Sequence, residues 1–160
     1  MFKKIMIATD GSEPSNRAAR LGIDLARVHN AEVVAVYVVD VNRLIQLPGY
    51  TGIPGLKEKL LGLMIEEGRY VTEEVEQMAQ AAGVPCSKMV LRGHPSDELL
   101  RYSLESKTDL LVMGSVGKSG LNRFLLGSVA EKVLQRIESP VFIIPLPKGR
   151  DGNLSEIWIG

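Results

Sequence analysis

The chain has 160 residues, 45% of them hydrophobic and 24% charged, with 19 basic and 19 acidic side chains. That size predicts one domain with a substantial core, and the even charge balance excludes a broad nucleic-acid-binding surface while leaving room for a local basic site. The single cysteine, Cys86, excludes an internal disulfide and a thiolate metal centre and suits a reducing cytoplasm.

Phe2-Lys3-Lys4-Ile5 briefly imitates the start of a signal peptide, but the apolar run stops at Asp10, too short for an h-region. No stretch reaches membrane-spanning length. Lys3 to Thr9 instead predicts a strand, with consecutive apolar residues that suit burial on both faces. It ends in Asp10-Gly11-Ser12. Ser12 is the expected N-cap of a helix running to about Asn30, with Asp10 as the competing cap, and Pro14 fits a first turn. Ala18, Leu21, Leu25 and Val28 form its expected apolar stripe.

Glu32 to Val39 predicts the second strand. Asp40 to Gly55 is expected to be a loop that covers a site or forms a disordered insertion. A long helix follows from about Leu56 to Ala82, its buried side expected at Leu60, Leu63, Met64, Tyr70, Val71, Val75, Met78 and Ala82. Gly62 and Gly68 should weaken it, each by up to ~1 kcal/mol against alanine, and Gly83 should terminate it. The third strand is expected at Cys86–Leu91. A helix from about Ser96 to Ser106 carries Asp97 and Glu98 at its positive end. Leu110–Met113 predicts the fourth strand, about Val129–Ile137 the last helix, and Val141–Ile144 the fifth strand.

The stretch Asp109 to Gln135 organises the rest. It reads as strand, glycine-bearing loop, Ser128 as cap or phosphate donor, then helix. Glycines reach positive φ and admit an anion without a Cβ in the way, and a helix N-terminus offers unpaired N–H groups. Gly117-Lys118-Ser119 is not a P-loop: the position that needs the earlier glycine is Val112, and Gly120 follows at once. The spacing present is Gly-x2-Gly-x9-Gly-Ser, at Gly114, Gly117, Gly127 and Ser128. The competing reading is a strand-to-helix connection whose glycines serve only the turn.

The order βαβαβαβαβ predicts an α/β fold with one open parallel sheet, helices on both faces and a ligand beyond the strand ends where the winding reverses. A carboxylate at Asp10 could there bind ribose hydroxyls or help to hold a magnesium ion.

Over about residues 2–146 the chain resembles the universal stress protein family, in the subgroup with the full glycine motif. The resemblance is carried by KKIMIATDGS, VYVVD, Gly93-His94-Pro95, DLLVMGSVGKSGLNRFLLGSVAEKVL and SPVFIIP. It implies a five-stranded Rossmann-like sheet of order 3-2-1-4-5, a nucleotide-binding domain over residues 1–147 and a tail at 148–160. It also implies ATP, ADP or AMP in the crevice, with or without Mg2+. By that resemblance Ala8, Thr9 and Asp10 line the adenosine side, and Val38 meets adenine through its backbone. Met113 and Gly114 pass beside the ribose and phosphates, while Gly117, Gly127, Ser128, Val129 and Ala130 surround the phosphates. Ala130 stands where some relatives have threonine, so one hydroxyl contact is missing.

Other features are less specific. His29 complements a helix end. His94 precedes Pro95 in a turn, and neither histidine has a partner at metal-ligand spacing. Cys86 has no adjacent base. Lys118 and Arg123 either contact phosphate or lie solvated, and Phe124, Leu125 and Leu126 are expected under the last helix. The resulting function is an adenine-nucleotide-binding stress or signalling module with slow or no hydrolysis and no assigned catalytic residue. The alternative is an ATP-dependent enzyme on the same fold, a slow ATPase or a nucleotidyl-transfer type. His-x-Gly-His and Ser-Gly-Gly-x-Asp-Ser motifs are absent, and residues 5–12 hold one acid only, too few for a receiver-type phosphoacceptor. A flavin-wrapping Ser/Thr loop is also missing. The uncharged strand Val141–Ile144 is expected at a sheet edge, where pairing with a second copy would make a homodimer. The tail, ending Ile157-Trp158-Ile159, is either mobile or docked.

Overall fold

The computed structural model describes residues 1–118 and 126–146. The expectations for Arg123, Phe124, Leu125 and the tail 148–160 lie outside the described residues. Ten elements follow in order: β1 Lys4–Ala8, α1 Glu13–His29, β2 Glu32–Asp40, α2 Val41–Ile45, α3 Leu56–Ala81, β3 Cys86–Gly93, α4 Pro95–Glu105, β4 Leu110–Gly114, α5 Ser128–Arg136 and β5 Val141–Ile144. The five strands form one sheet of order β3-β2-β1-β4-β5, all neighbours parallel. This is the expected α/β, Rossmann-like order.

Side chains alternate across each strand, so the two faces build separate cores. Ile5 and Ile7 of β1 point to the face covered by α1 and α3, with Ala18, Ile23, Val75 and Ala79. Met6 and Ala8 point to the other face, with Leu99 of α4 and Ala130 and Val133 of α5. Ile5, Met6 and Ile7 are fully buried, as a central parallel strand requires.

Four expectations need correction. Leu126, expected under the last helix, is 38% exposed. The stripe of α1 is Ser15, Ala18, Ala19, Gly22, Ile23 and Ala26, whereas Leu21 and Val28 are exposed, Val28 by 74%. The reason is close approach: a Cβ on Gly22 would lie 2.9 Å from Ile7, so small residues face the sheet. On α3 the buried line is Gly68, Val71, Thr72, Val75 and Ala79, and Leu63 and Tyr70 are exposed. Gly68 is there for packing, since its Cβ would meet the Tyr37 ring at 2.7 Å. The segment after β2 is not all loop. Asp40 accepts from Asn42 and Arg43 backbone N–H groups at 3.1 and 3.3 Å and so caps α2, which buries Leu44.

Both ends of α1 are closed as its residues dictate. Ser12 is the N-cap, accepting from the Ser15 amide, and Asn30 turns into the left-handed region at φ 53° to stop the helix. Gly83, at φ 71°, does the same after α3. Lys88 on the edge strand β3 is tied to α3 through Glu73 and Glu76, the latter at 2.7 Å.

Candidate functional site

The site arises because β2 outruns β1. The register of β1 on β2 ends at Ala8–Val36, with one further bond from Thr9 N–H to the Val36 carbonyl at 2.9 Å. The chain then leaves the sheet at Asp10. Alternate residues of a strand present their backbone groups to the same side. Val38 therefore turns its N–H and C=O toward the side that β1 has vacated.

On the other flank, β4 ends at Gly114 and α5 begins beside it. Gly127 N–H donates to the Ser115 carbonyl at 2.7 Å, which hangs the start of α5 on the end of β4. Gly127, not Ser128, is the N-cap, and no side chain caps this helix. Ser128 is the first helical residue, so its hydroxyl is not spent on capping. The first-turn N–H groups of Ser128, Val129 and Ala130 belong to the set that a helix cannot pair internally.

The motif glycines serve close packing rather than unusual torsion. None of Gly114, Gly117 and Gly127 has positive φ. A Cβ on Gly114 would meet Pro14 at 2.8 Å, one on Gly117 would meet Asp10 Oδ2 at 2.6 Å, and one on Gly127 would meet the Ser115 carbonyl oxygen at 3.0 Å. The expectation of positive φ is thus replaced by close approach: of Gly114 to Pro14, of Gly117 to the Asp10 carboxylate and of Gly127 to the Ser115 backbone.

Asp10 is the joint between them. Its Oδ1 accepts from Ser12 N–H and its Oδ2 from Lys118 N–H, each at 2.9 Å. It does not cap α1. Thr9 is buried with its hydroxyl 3.3 Å from that of Ser15. Between these walls lies a cleft of about 630 Å³ at the carboxyl ends of the strands. All eleven residues named from the sequence line it: Ala8, Thr9, Asp10, Val38, Met113, Gly114, Gly117, Gly127, Ser128, Val129 and Ala130. His94 does not; its Nδ1 lies 3.0 Å from the Ser96 hydroxyl.

Sequence reasoning missed the far wall. Tyr37, Asp40, Arg43, Met64 and Glu67 also line the cleft, and so does Lys118, for which phosphate contact and solvation were both open. The Tyr37 hydroxyl donates to Glu67 Oε2 at 3.2 Å, and Lys118 Nζ pairs with Glu67 Oε1. Burial and then the Glu67 carboxylate push the Tyr37 phenol up to about 12, so it stays protonated and remains a donor at neutral pH. Gly68 was the nearest signal for this wall, since a Cβ there would meet the Tyr37 ring, but the sequence alone does not separate it from Gly62 of the same helix, where a Cβ would meet nothing.

The family model described as the universal stress protein family matches residues 1–145. The chain belongs to the universal stress protein family. A universal stress protein of Methanocaldococcus jannaschii is 42% identical over 148 residues, covering 92% of this chain and 85% of that protein. The solved structure of a second universal stress protein of that archaeon superposes with a TM-score of 0.81 at 25% identity, over 93% of this chain and 99% of the other. A universal stress protein crystallised in complex with cAMP is 27% identical, with a TM-score of 0.64 over 90% of this chain and 97% of that one.

Proposed function

We propose that this universal stress protein binds an adenine nucleotide, as ATP, ADP or AMP, in the cleft between the ends of β1 and β4. It acts as a stress-response or signalling module of the cytoplasm that turns the nucleotide over slowly or not at all. The observation that carries this reading is one cleft with two complementary walls. The uncapped first turn of α5, with the Ser128 hydroxyl, suits phosphate. The outward N–H and C=O of Val38 match the donor and acceptor pair on the edge of adenine, as the resemblance implies. The cleft volume, about 630 Å³, is in the range of small-molecule sites. The relative solved with cAMP supports the same class of ligand.

The reading of slow or absent hydrolysis is supported by how the acids of the cleft are engaged. Asp10 holds two backbone N–H groups, Asp40 caps α2, and Glu67 is shared by Tyr37 and Lys118. None stands poised to take a proton from water. Among the described residues no three His, Cys, Asp or Glu side chains converge on a metal position, so Mg2+ would ride on phosphate oxygens and water.

The test is direct. Adenine nucleotide should be released on acid precipitation of the purified protein, and titration calorimetry should show ATP binding. Ser128→Asp keeps a residue favoured at a helix N-terminus yet places a carboxylate where phosphate would sit. It should cost about tenfold or more in affinity, about 1.4 kcal/mol. A wild-type protein that binds no adenine nucleotide would leave the glycine spacing with packing as its whole purpose.

A homodimer through antiparallel pairing of β5 belongs to the same proposal. β5 ends the sheet order, and Phe142 on it is 41% exposed. Phe142→Lys should shift a dimer to monomer in sedimentation velocity; a wild-type monomer at micromolar concentration would exclude it.

A further inference from the structure

The cleft contains a charge arrangement that the nucleotide reading leaves unexplained. Its described lining carries three acids, Asp10, Asp40 and Glu67, against two bases, Arg43 and Lys118. An anionic ligand gains little from such a lining unless a cation can be released to it. Lys118 is the base that joins the glycine loop, one residue beyond Gly117. Its backbone N–H is fixed on Asp10 Oδ2, at 2.9 Å. Its stem passes over Gly11, where a Cβ would lie 3.7 Å from Lys118 Cε. Its ammonium is held by Glu67 of α3, and Glu67 is held in turn by the Tyr37 hydroxyl. Both partners of the ion pair keep over two fifths of their side-chain surface exposed, Lys118 at 46% and Glu67 at 43%, so the pair can open.

We infer that Glu67 is a built-in competitor for the nucleotide's phosphates: it pairs with Lys118 at the cleft wall, and the ligand must win that lysine from it. Glu67 thereby sets the selectivity between phosphorylated nucleotides and the bare nucleoside, and Tyr37 is the positioning residue that keeps the carboxylate aimed. The backbone tether on Asp10 holds Lys118 at the cleft in either state, so only the side chain needs to swing. This inference rests on the nucleotide reading of the same cleft.

Titration calorimetry on the intact protein tests it with ATP and adenosine as probes and two isosteric variants, Glu67→Gln and Lys118→Gln. Glu67→Gln should tighten ATP by roughly twofold to fivefold, the range open to half-exposed ion pairs, and should change adenosine affinity by less than it changes ATP affinity. Lys118→Gln should weaken ATP. The double variant should match Lys118→Gln, because the gain works only through the lysine. A gain that persists in the Lys118→Gln background would reduce Glu67 to a general field effect and overturn the inference. So would an unchanged or weaker ATP affinity in Glu67→Gln, while the nucleotide reading would stand on wild-type binding. ATP binding seen only in Glu67→Gln would support both. Failure of every form to bind would remove both. Melting temperatures of the variants separate these effects from a fold disturbance, which would shift ATP and adenosine affinities together.

Discussion

At the scale of single residues, two glycines of α3 have opposite meanings. A Cβ on Gly62 would meet nothing within 4 Å, whereas one on Gly68 would press on the Tyr37 ring. Gly62→Ala should stabilise the protein by up to ~1 kcal/mol through helix propensity. Gly68→Ala should destabilise it by about 1 kcal/mol or more through overpacking. Urea unfolding of the pair checks both signs, and equal stabilisation by the two would refute the packing account. Cys86 offers another single-residue test. Burial first, then Glu76, pushes its thiol up to about 11. The thiol is therefore protonated at neutral pH, and its alkylation rate should rise about tenfold per pH unit between pH 7 and 10. A flat profile would contradict this.

Among the elements, the tie between β1 and β4 is electrostatic as well as apolar. Asp109 accepts from the Lys3 and Lys4 backbone N–H groups at 2.7 and 2.8 Å, and these bonds hold its carboxyl below the usual carboxylate range. A depressed folded pKa stabilises above the unfolded value of about 4 and is lost as pH falls through the folded one. Asp109→Asn should thus lose stability at pH 7, and its deficit against wild type should shrink toward pH 3. Equal deficits at both pH values would sink the assignment. The elements were largely legible in the chain. Consecutive apolar runs fixed the strands, and Ser12, Asn30 and Gly83 fixed helix ends. What misled was size. Large apolar residues on α1 and α3 drew the stripe toward Leu21, Val28, Leu63 and Tyr70, while close contact with the sheet selects Ala18, Ala19, Gly22 and Gly68. The α2 helix was hidden because its start depends on one side chain, Asp40, inside a glycine- and proline-rich stretch. Glu67 was illegible as a cleft residue because one glutamate on a charged helix resembles its neighbours until the sheet places Tyr37 opposite.

For the whole molecule, ligand binding and stability are linked. A nucleotide that binds only the folded chain should stabilise it by about 2.7 kcal/mol at a hundred times its Kd. For a domain of this size that is roughly 5–11 °C in Tm, measurable by differential scanning fluorimetry. No shift with ATP, ADP or AMP at millimolar concentration would count against the cleft as a nucleotide site. The cleft itself has a simple origin. β1 has five residues and β2 nine, so the sheet lacks backbone where its central strand should continue. A missing strand end is a matter of arithmetic along the chain rather than of side-chain identity. Substitutions can retune such a gap, but its existence should be sensitive to insertion. One residue added between Ala8 and Asp10 should carry the central strand about 3.3 Å further along β2, toward the Val38 backbone, and so narrow the opening.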